Sequence, residues 1–412
     1  MWEFLLPSLL CIILVFKFFG SNNKKKSKLP PGRRSWPLIG DSFNWYKAVS
    51  GSYPPEFAHQ QVKRFGKIFS CSLFGKWVVV SADPTFNRFI MQNEGKLFGS
   101  KYPKSFRDLV GKNGVITVQG EQQRKLHGIA SNLMRLDKLK FHFLKDIQLV
   151  MLQTLSKFHN NQVICLQDVC RKVAINLMVN QLLGVSSESE INEMAQLFSD
   201  FVDGCLSIPI NFPGFTYYTA MKDEQDNLGT NCVGDELLTW QDYKAMPFTQ
   251  CVIDETLRIG GIAIWLMREA KEDVLYQDYI IPKGCLVIPF LSAVHLDESL
   301  YKEALRFDPW RWMDPEYQEK RNWRNSPLYS PFGGGARFCP GAELARLQIS
   351  LFLHYFVTTY RWTQVKGDQL SFFPSARLVN GFQIRLMRRH AESKLKCDNA
   401  SNKSRTESVT DF

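Results

Sequence analysis

The stretch Phe332-Gly333-Gly334-Gly335-Ala336-Arg337-Phe338-Cys339-Pro340-Gly341 gathers residue types that can do chemistry. Three consecutive glycines let the backbone take positive φ and approach a flat ligand closely. One cysteine follows, then Pro340, Gly341 and a helical run from Ala342 to about Tyr360. Cys339 therefore stands just before a helix N-terminus, where unpaired N–H groups and the helix dipole favour a thiolate over a thiol. Such a thiolate, with Arg337 two residues before it, is suited to be the axial ligand of a haem whose propionate Arg337 would meet. The competing reading is an inert cysteine in a glycine-rich turn, as most buried thiols are.

The full pattern F-x-x-G-x-R-x-C-x-G, matched at Phe332, Gly335, Arg337, Cys339 and Gly341, decides between them. It resembles the haem-binding loop of the cytochrome P-450 monooxygenases. The resemblance implies a mainly α fold with small β-sheets (α+β) and a haem b held by Cys339. It also implies electrons from NADPH through an NADPH–cytochrome reductase, and transfer of one oxygen atom into an unactivated C–H bond.

Such a loop must be held rigidly from behind. Glu255 and Arg258 in Ile253-Asp254-Glu255-Thr256-Leu257-Arg258 are three apart and share a helical face. Alone, that pair is an exposed ion pair of under about 1 kcal/mol. Downstream, Phe307-Asp308-Pro309-Trp310-Arg311-Trp312 resembles the family segment whose arginine, here Arg311, completes a buried Glu–Arg–Arg cluster. One carboxylate can accept from both guanidinium forks and fix both arginines. The stripe Leu344, Leu347, Leu351 and Tyr355 predicts a core helix behind the loop.

Ile259 to Met267 is apolar, contains Gly260-Gly261 and reads as a strand ending at Arg268. By resemblance Ile262, Ile264 and Trp265 would face substrate and Arg268 a propionate; the alternative is a core strand with an exposed arginine. Leu378-Val379-Asn380-Gly381-Phe382-Gln383-Ile384 predicts a hairpin with an Asn-Gly type I′ turn. In the family its tip, here Val379 and Phe382, reaches the substrate pocket. The helical pattern from Glu121 to about Leu183 begins with Arg124, Lys125 and His127, a solvated basic face unless the resemblance applies. There Arg124 and His127 would approach the propionates, although Gln123 stands where the family often has an aromatic residue. Residues 36 to 82 read as a small β-rich region containing the β-branched strand Lys76–Ser81, and 188 to 204 as an amphipathic stretch.

One family element is not found. Monooxygenases of this type carry a long central helix with an A/G-G-x-D/E-T pattern, whose acid and alcohol relay protons where dioxygen is activated. Pro213-Gly214-Phe215 resembles the segment well before that helix, and Trp240 to Pro247 the segment shortly after it. Only 32 residues lie between Gly214 and Pro247. They are acidic and interrupted by Gly229 and Gly234, whereas the helix alone needs roughly 20–30 residues at about 1.5 Å each. The spacing of Asp235-Glu236-Leu237-Leu238-Thr239 does not match, so no catalytic acid–threonine pair is identified.

The chain has 412 residues, 45% of them hydrophobic, and a net charge of +11. Its lysines and arginines are mostly scattered and no nucleic-acid motif is present, so no nucleic-acid partner is expected. The dense cluster Lys24-Lys25-Lys26 and Lys28 follows the apolar segment Trp2 to Phe19. Positive-inside logic makes residues 1–20 a single-pass membrane anchor in contact with lipid, with the rest cytoplasmic. Residues 21–35 form a basic, proline-rich hinge, as in endoplasmic-reticulum members of the family. The ten cysteines show no C-x-x-C pair, in keeping with a reducing compartment.

Residues 36–389 are thus read as a haem-thiolate monooxygenase domain lacking its central helix near 215–246, and 390–412 as a disordered tail. Met246-Pro247-Phe248-Thr249-Gln250, Ser292-Ala293-Val294-His295-Leu296-Asp297, Phe307–Trp312 and Ser330–Gly341 resemble plant brassinosteroid-synthesis enzymes that hydroxylate a sterol side chain at carbon 22. The alternatives are an inactive haem- or sterol-binding isoform and a truncated chain without a stable fold.

Overall fold

The computed structural model describes residues 29–32, 40–51, 53–73, 75–102, 113–183, 190, 237–372 and 376–389. The expected anchor, most of the hinge, the 188–204 stretch, Pro213-Gly214-Phe215, most of 215–246 and the tail lie outside the described residues. Among the described residues no helix is long and apolar enough to cross a membrane.

The region after residue 36 is less purely β than its sequence suggests. Helices α1 (Ser42–Ser50) and α2 (Glu56–Phe65) precede strands β1 (Ile68–Leu73) and β2 (Lys76–Ser81). Helix α3 (Pro84–Gln92) starts where Asp83 accepts from the Phe86 amide at 2.7 Å and Pro84 occupies a position needing no N–H. Strand β3 (Phe98–Ser100) follows, then α4 (Gly120–Leu133), α5 (Leu144–Ser156), β4 (Val163–Cys165) and α6 (Leu166–Leu183). A short turn of π-helix, Leu139–Phe143, leads into α5.

After residue 237 the chain resumes with α7 (Trp240–Lys244), closed by a Thr239–Asp242 capping box, and α8 (Pro247–Ile259), which stops at Gly260. Strands β5 (Arg268–Ala270), β6 (Val274–Tyr276), β7 (Tyr279–Ile281) and β8 (Leu286–Pro289) come next. Then follow α9 (Leu291–His295), α10 (Ala342–Thr359), β9 (Tyr360–Gln364), β10 (Leu370–Ser371), β11 (Arg377–Leu378) and β12 (Gln383–Arg388).

The largest sheet has the order β1-β2-β8-β5-β3, antiparallel except for β2 against β8. Both faces are covered, since Val78 and Val80 enter one apolar cluster and Val79 another. A third cluster joins the helices: Ile147 and Met151 of α5, Ile253 and Leu257 of α8, and Leu344, Leu347 and Leu351 of α10 pack with Trp312 and Tyr329. The apolar stripe expected behind the cysteine loop is that buried face of α10.

Two local expectations are corrected. Residues 261–267 are irregular, and the strand begins only at Arg268. Gly260 and Gly261 end α8, and the segment then uses isolated bonds, Leu266 N to the Pro289 carbonyl at 2.9 Å and Ser292 N to the Ile264 carbonyl at 3.1 Å. Residues 378–384 form no hairpin, because β11 pairs with β10 while β12 pairs with β4 and β9. Positive φ falls on Gly381 and Phe382, not on the Asn380-Gly381 pair that a type I′ turn requires. The Asp368 carboxylate causes this by accepting from the Asn380 amide at 2.7 Å and the Phe382 amide at 2.6 Å.

Candidate haem-thiolate site

Cys339 is half-buried at the end of a loop that closes on itself: its amide donates to the Phe332 carbonyl at 3.0 Å and the Phe338 amide to Gly335 at 3.1 Å. Gly333 and Gly335 have φ of +71° and +63°. At Gly335 a Cβ would lie 2.0 Å from the Met91 carbonyl, so only glycine lets the loop sit on the end of α3. Helix α10 starts two residues after Pro340 with Gly341 as its cap, placing its N-terminus beside the sulfur. A Cβ on Gly341 would stand 4.0 Å from the sulfur and 3.3 Å from the Met134 sulfur.

The helix terminus does not by itself make a thiolate. Burial raises the Cys339 pKa, and the Gly341 N–H opposes that only in part. In the chain alone the sulfur is held as a thiol; coordination to a metal deprotonates it outright.

Helix α4 clamps the other side of the loop. Gln123, 4% exposed, donates from Nε2 to the Ala336 carbonyl at 2.9 Å, and His127 donates from Nε2 to the Phe338 carbonyl at 2.6 Å. The two are four residues apart on one helix face and grip the carbonyls flanking Arg337. His127, expected to approach a propionate, spends its Nε2–H on the loop, and Arg124 is exposed with no ion pair among the described residues. Gln123, a departure from the family pattern, proves to be a contact the sequence did not explain.

Arg337 is also more engaged than expected. Its Nε donates to Glu94 at 2.7 Å, Nη1 to the Val115 and Ile116 carbonyls at 3.3 and 3.0 Å, and Nη2 to Val118 at 2.6 Å. With five N–H groups on a guanidinium, one remains for a further acceptor. Arg268 forms an ion pair with the same Glu94 and donates from Nη1 to the Met267 carbonyl at 3.0 Å. Its Nη2 has no acceptor among the described residues. Arg268 and Glu94 side chains are 3% and 4% exposed, so Arg268 is buried, not the surface arginine of the alternative reading.

Behind the loop, Glu255 is fully buried. Its carboxylate accepts from Arg258 Nε and Nη2 at 2.9 and 2.8 Å, Arg311 Nε at 3.0 Å, Trp312 Nε1 at 3.0 Å and the Asp308 amide at 3.0 Å. Arg258 Nη1 donates to the His295 carbonyl at 2.8 Å, and His295 Nε2 accepts from the Ser330 amide at 3.0 Å. His295 thereby joins the cluster to the start of the loop. Burial, with the Arg258 charge adding to it, pushes its pKa down to about 3 and keeps the imidazole neutral.

A neighbouring cluster was not foreseen. Asp254, also fully buried, pairs with Arg321 at 2.6 Å and with Arg346 of α10, and accepts from the Tyr329 hydroxyl at 3.1 Å. Helix α8 thus carries two adjacent carboxylates pointing to different partners, one toward the 302–312 segment and one toward α10. Successive helix residues face different directions, so only the triad spacing was legible in the sequence.

Of the expected pocket residues, Ile264 is 3% exposed within the cluster around Trp45 and Phe290, and Trp265 packs against it, with its ring 5.5 Å from Trp45. The irregular backbone turns both into the β-region core. Ile262 and Val379 are 65% and 44% exposed, and Phe382 packs on the helical core. Phe332 meets Trp323 edge-on at 5.3 Å, and Phe338 stacks on the same ring at 5.3 Å.

The donor set fits a haem. It offers a single sulfur in a loop whose glycines admit close approach, a helix end at that sulfur and a buried arginine with unspent N–H groups. Cys339 would be the axial ligand and Arg268 the main propionate partner, with one N–H from Arg337.

Comparison with known proteins agrees with this reading. The sequence profile described as cytochrome P450 matches residues 30–213 and 216–381. An abietadienol/abietadienal oxidase from Pinus taeda is 37% identical over 451 aligned positions, covering 90% of this chain and 92% of that protein. Because 90% of 412 residues is about 371, about 80 of those aligned positions have no residue here. A cholesterol 22-monohydroxylase from Trigonella foenum-graecum is 30% identical over 92% of this chain and 97% of its own length. A steroid (22S)-hydroxylase from Oryza sativa subsp. japonica is 30% identical over 89% of each chain. The fold is shared with the retinoic acid bound cyanobacterial CYP120A1, at a TM-score of 0.69 and 22% identity, over 88% of this chain and 100% of that one. With a thiol-bearing glycine loop locked by a buried Glu–Arg–Arg cluster, and a family match along most of its length, the chain belongs to the cytochrome P450 family of haem-thiolate monooxygenases.

Proposed function

We propose that this site serves the oxidation of a fused-ring isoprenoid, and specifically hydroxylation of a sterol side chain at carbon 22. The observation that carries the proposal is the assembled Cys339 loop on a chain whose relatives include sterol 22-hydroxylases at about 30% identity. A second reading, oxidation of a diterpenoid alcohol, is favoured by the 37% identity to the abietadienol/abietadienal oxidase. The haem supplies oxygen activation when bound. The chain's own part would be to hold it: Cys339 would ligate the iron and Arg268 would meet a propionate, with α4 and α10 packed against the loop.

We further infer that the oxygen-activation helix is the segment missing from this form. The family match breaks at residues 213–216, and about 80 positions of the Pinus taeda alignment are without a residue here. An anchor in the endoplasmic-reticulum membrane and an NADPH–cytochrome reductase docking on the basic surface by charge complementarity complete the proposal. Without the helix the site loses its proton relay and much of its apolar wall, so the 412-residue form binds haem but oxidises neither substrate class.

The test incubates this chain, and a version with the segment restored, with reductase, NADPH and either a campesterol-type sterol or abietadienol. Mass spectrometry should find the 22-hydroxylated sterol only with the longer version. Oxidised diterpenoid and no sterol product would favour the second reading. Coupled turnover by the 412-residue form would overturn the inference about the missing helix.

A further inference from the structure

Glu94 is the acid that joins Arg268 and Arg337. It follows α3 by two residues, and the same chain end supports the loop twice more. A Cβ on Gly335 would strike the Met91 carbonyl, and one on Gly334 would come within 3.2 Å of the Met91 sulfur. At 4% side-chain exposure the Glu94 carboxylate is shut off from water, with Arg337 Nε at 2.7 Å on one oxygen and Arg268 Nε on the other. Its partners come from distant parts of the chain, the cysteine loop and the first residue of β5. It therefore ties the two arginines to one another through a single side chain.

The arrangement also fixes how much of each arginine is available. Arg337 has spent four N–H groups on Glu94 and the carbonyls of Val115, Ile116 and Val118, whereas Arg268 keeps its Nη2 group free of any acceptor among the described residues. Two guanidinium charges against one carboxylate leave one net positive charge in a buried setting, where charges act strongly on one another. We propose that Glu94 is a positioning residue of the haem site: it holds Arg268 and Arg337 side by side for a propionate and sets the charge felt at that edge. This rests on the haem reading above. A fixed negative charge there stabilises the ferric over the ferrous state, because the ferric form carries one more positive charge.

Two measurements on the full chain test this. In the haem-free protein, Glu94→Gln keeps the shape but removes the charge that pins Arg337, so amide hydrogen exchange across residues 113–118 should quicken by about tenfold or more. In the haem-loaded protein the same variant should shift the reduction potential upward. Glu94→Asp, which keeps the charge on a shorter arm, should restore the potential while leaving exchange faster than in the parent. If Glu94→Gln does not fold, Glu94→Asp must still show this split, fast exchange with a parental potential. An unchanged potential in Glu94→Gln, or equal shifts in both variants, would reduce Glu94 to a structural ion pair and overturn the proposal. Failure of the parent chain to take up haem would instead count against the haem reading, and unchanged exchange at 113–118 would still overturn the clamp.

Discussion

Glu255 and Glu94 each stand between two arginines, yet the two clusters are built for different ends. Around Glu255 five donors fill the carboxylate, and the remaining Arg258 and Arg311 groups reach the carbonyls of His295, Lys302, Glu303 and Arg306. Arg258 and Arg311 thereby each spend four of their five N–H groups. Around Glu94 the arginines come from the cysteine loop and the first residue of β5, and among the described residues Arg268 spends only its Nε and one Nη1 N–H. A closed cluster locks a scaffold, and an open one leaves donors to spare. Burial alone does not distinguish them, since both carboxylates are hidden; the count of satisfied N–H groups does.

The closed cluster should break hardest. Arg258→Leu strips two of the five donors from the buried Glu255 carboxylate and the donor from the His295 carbonyl, a loss of about 3–5 kcal/mol. The expected outcome is little folded, haem-containing protein by expression yield and thermal melting; near-parental melting would show that the cluster does not lock the core. The open cluster should yield less. Arg337→Lys keeps the charge but loses the fork that grips three carbonyls, for about 1.5–3 kcal/mol and weaker haem retention, read from the rate of haem transfer to an acceptor protein.

Acid sharpens the comparison through His295, which links the closed cluster to the loop. Its folded pKa of about 3 lies below the ordinary 6.5, so only the unfolded chain takes up a proton between these values. Stability from this group is level above about pH 6.5 and falls as pH drops toward 3, by at most about 1.4 kcal/mol per pH unit. Denaturant melts across that window should show the slope, and His295→Gln should flatten it. The smallest effect belongs to α4: His127→Ala removes one bond to the Phe338 carbonyl and should cost about 1 kcal/mol, visible as a small drop in melting temperature.

These contrasts also explain what could be read in advance. The cysteine loop, the Glu255–Arg258 spacing and the stripe of α10 were legible because each is local: a glycine at positive φ, an i, i+3 pair, a helical period. Arg311 was legible only through resemblance. The Glu94 and Asp254 clusters were not, because Arg337, Arg321 and Arg346 lie 67 to 243 residues from their carboxylates and no local pattern marks the pairing. The hairpin at 378–384 misled for the converse reason, a strong local turn signal overruled by the distant Asp368 carboxylate and by strand partners in two sheets. Ile264 and Trp265 were apolar enough for a pocket, but equally suited to the core they entered.

The role of this site depends on Cys339 as the single sulfur ligand of a haem. The direct measurement is the absorption spectrum of the haem-loaded, reduced and carbon-monoxide-treated protein, beside that of Cys339→Ser. The parent should show the strongly red-shifted Soret band of a thiolate-ligated ferrous–carbonyl haem and the variant should lack it. A red-shifted band that survives in Cys339→Ser, or its absence from a parent protein that has bound haem, would contradict the assignment.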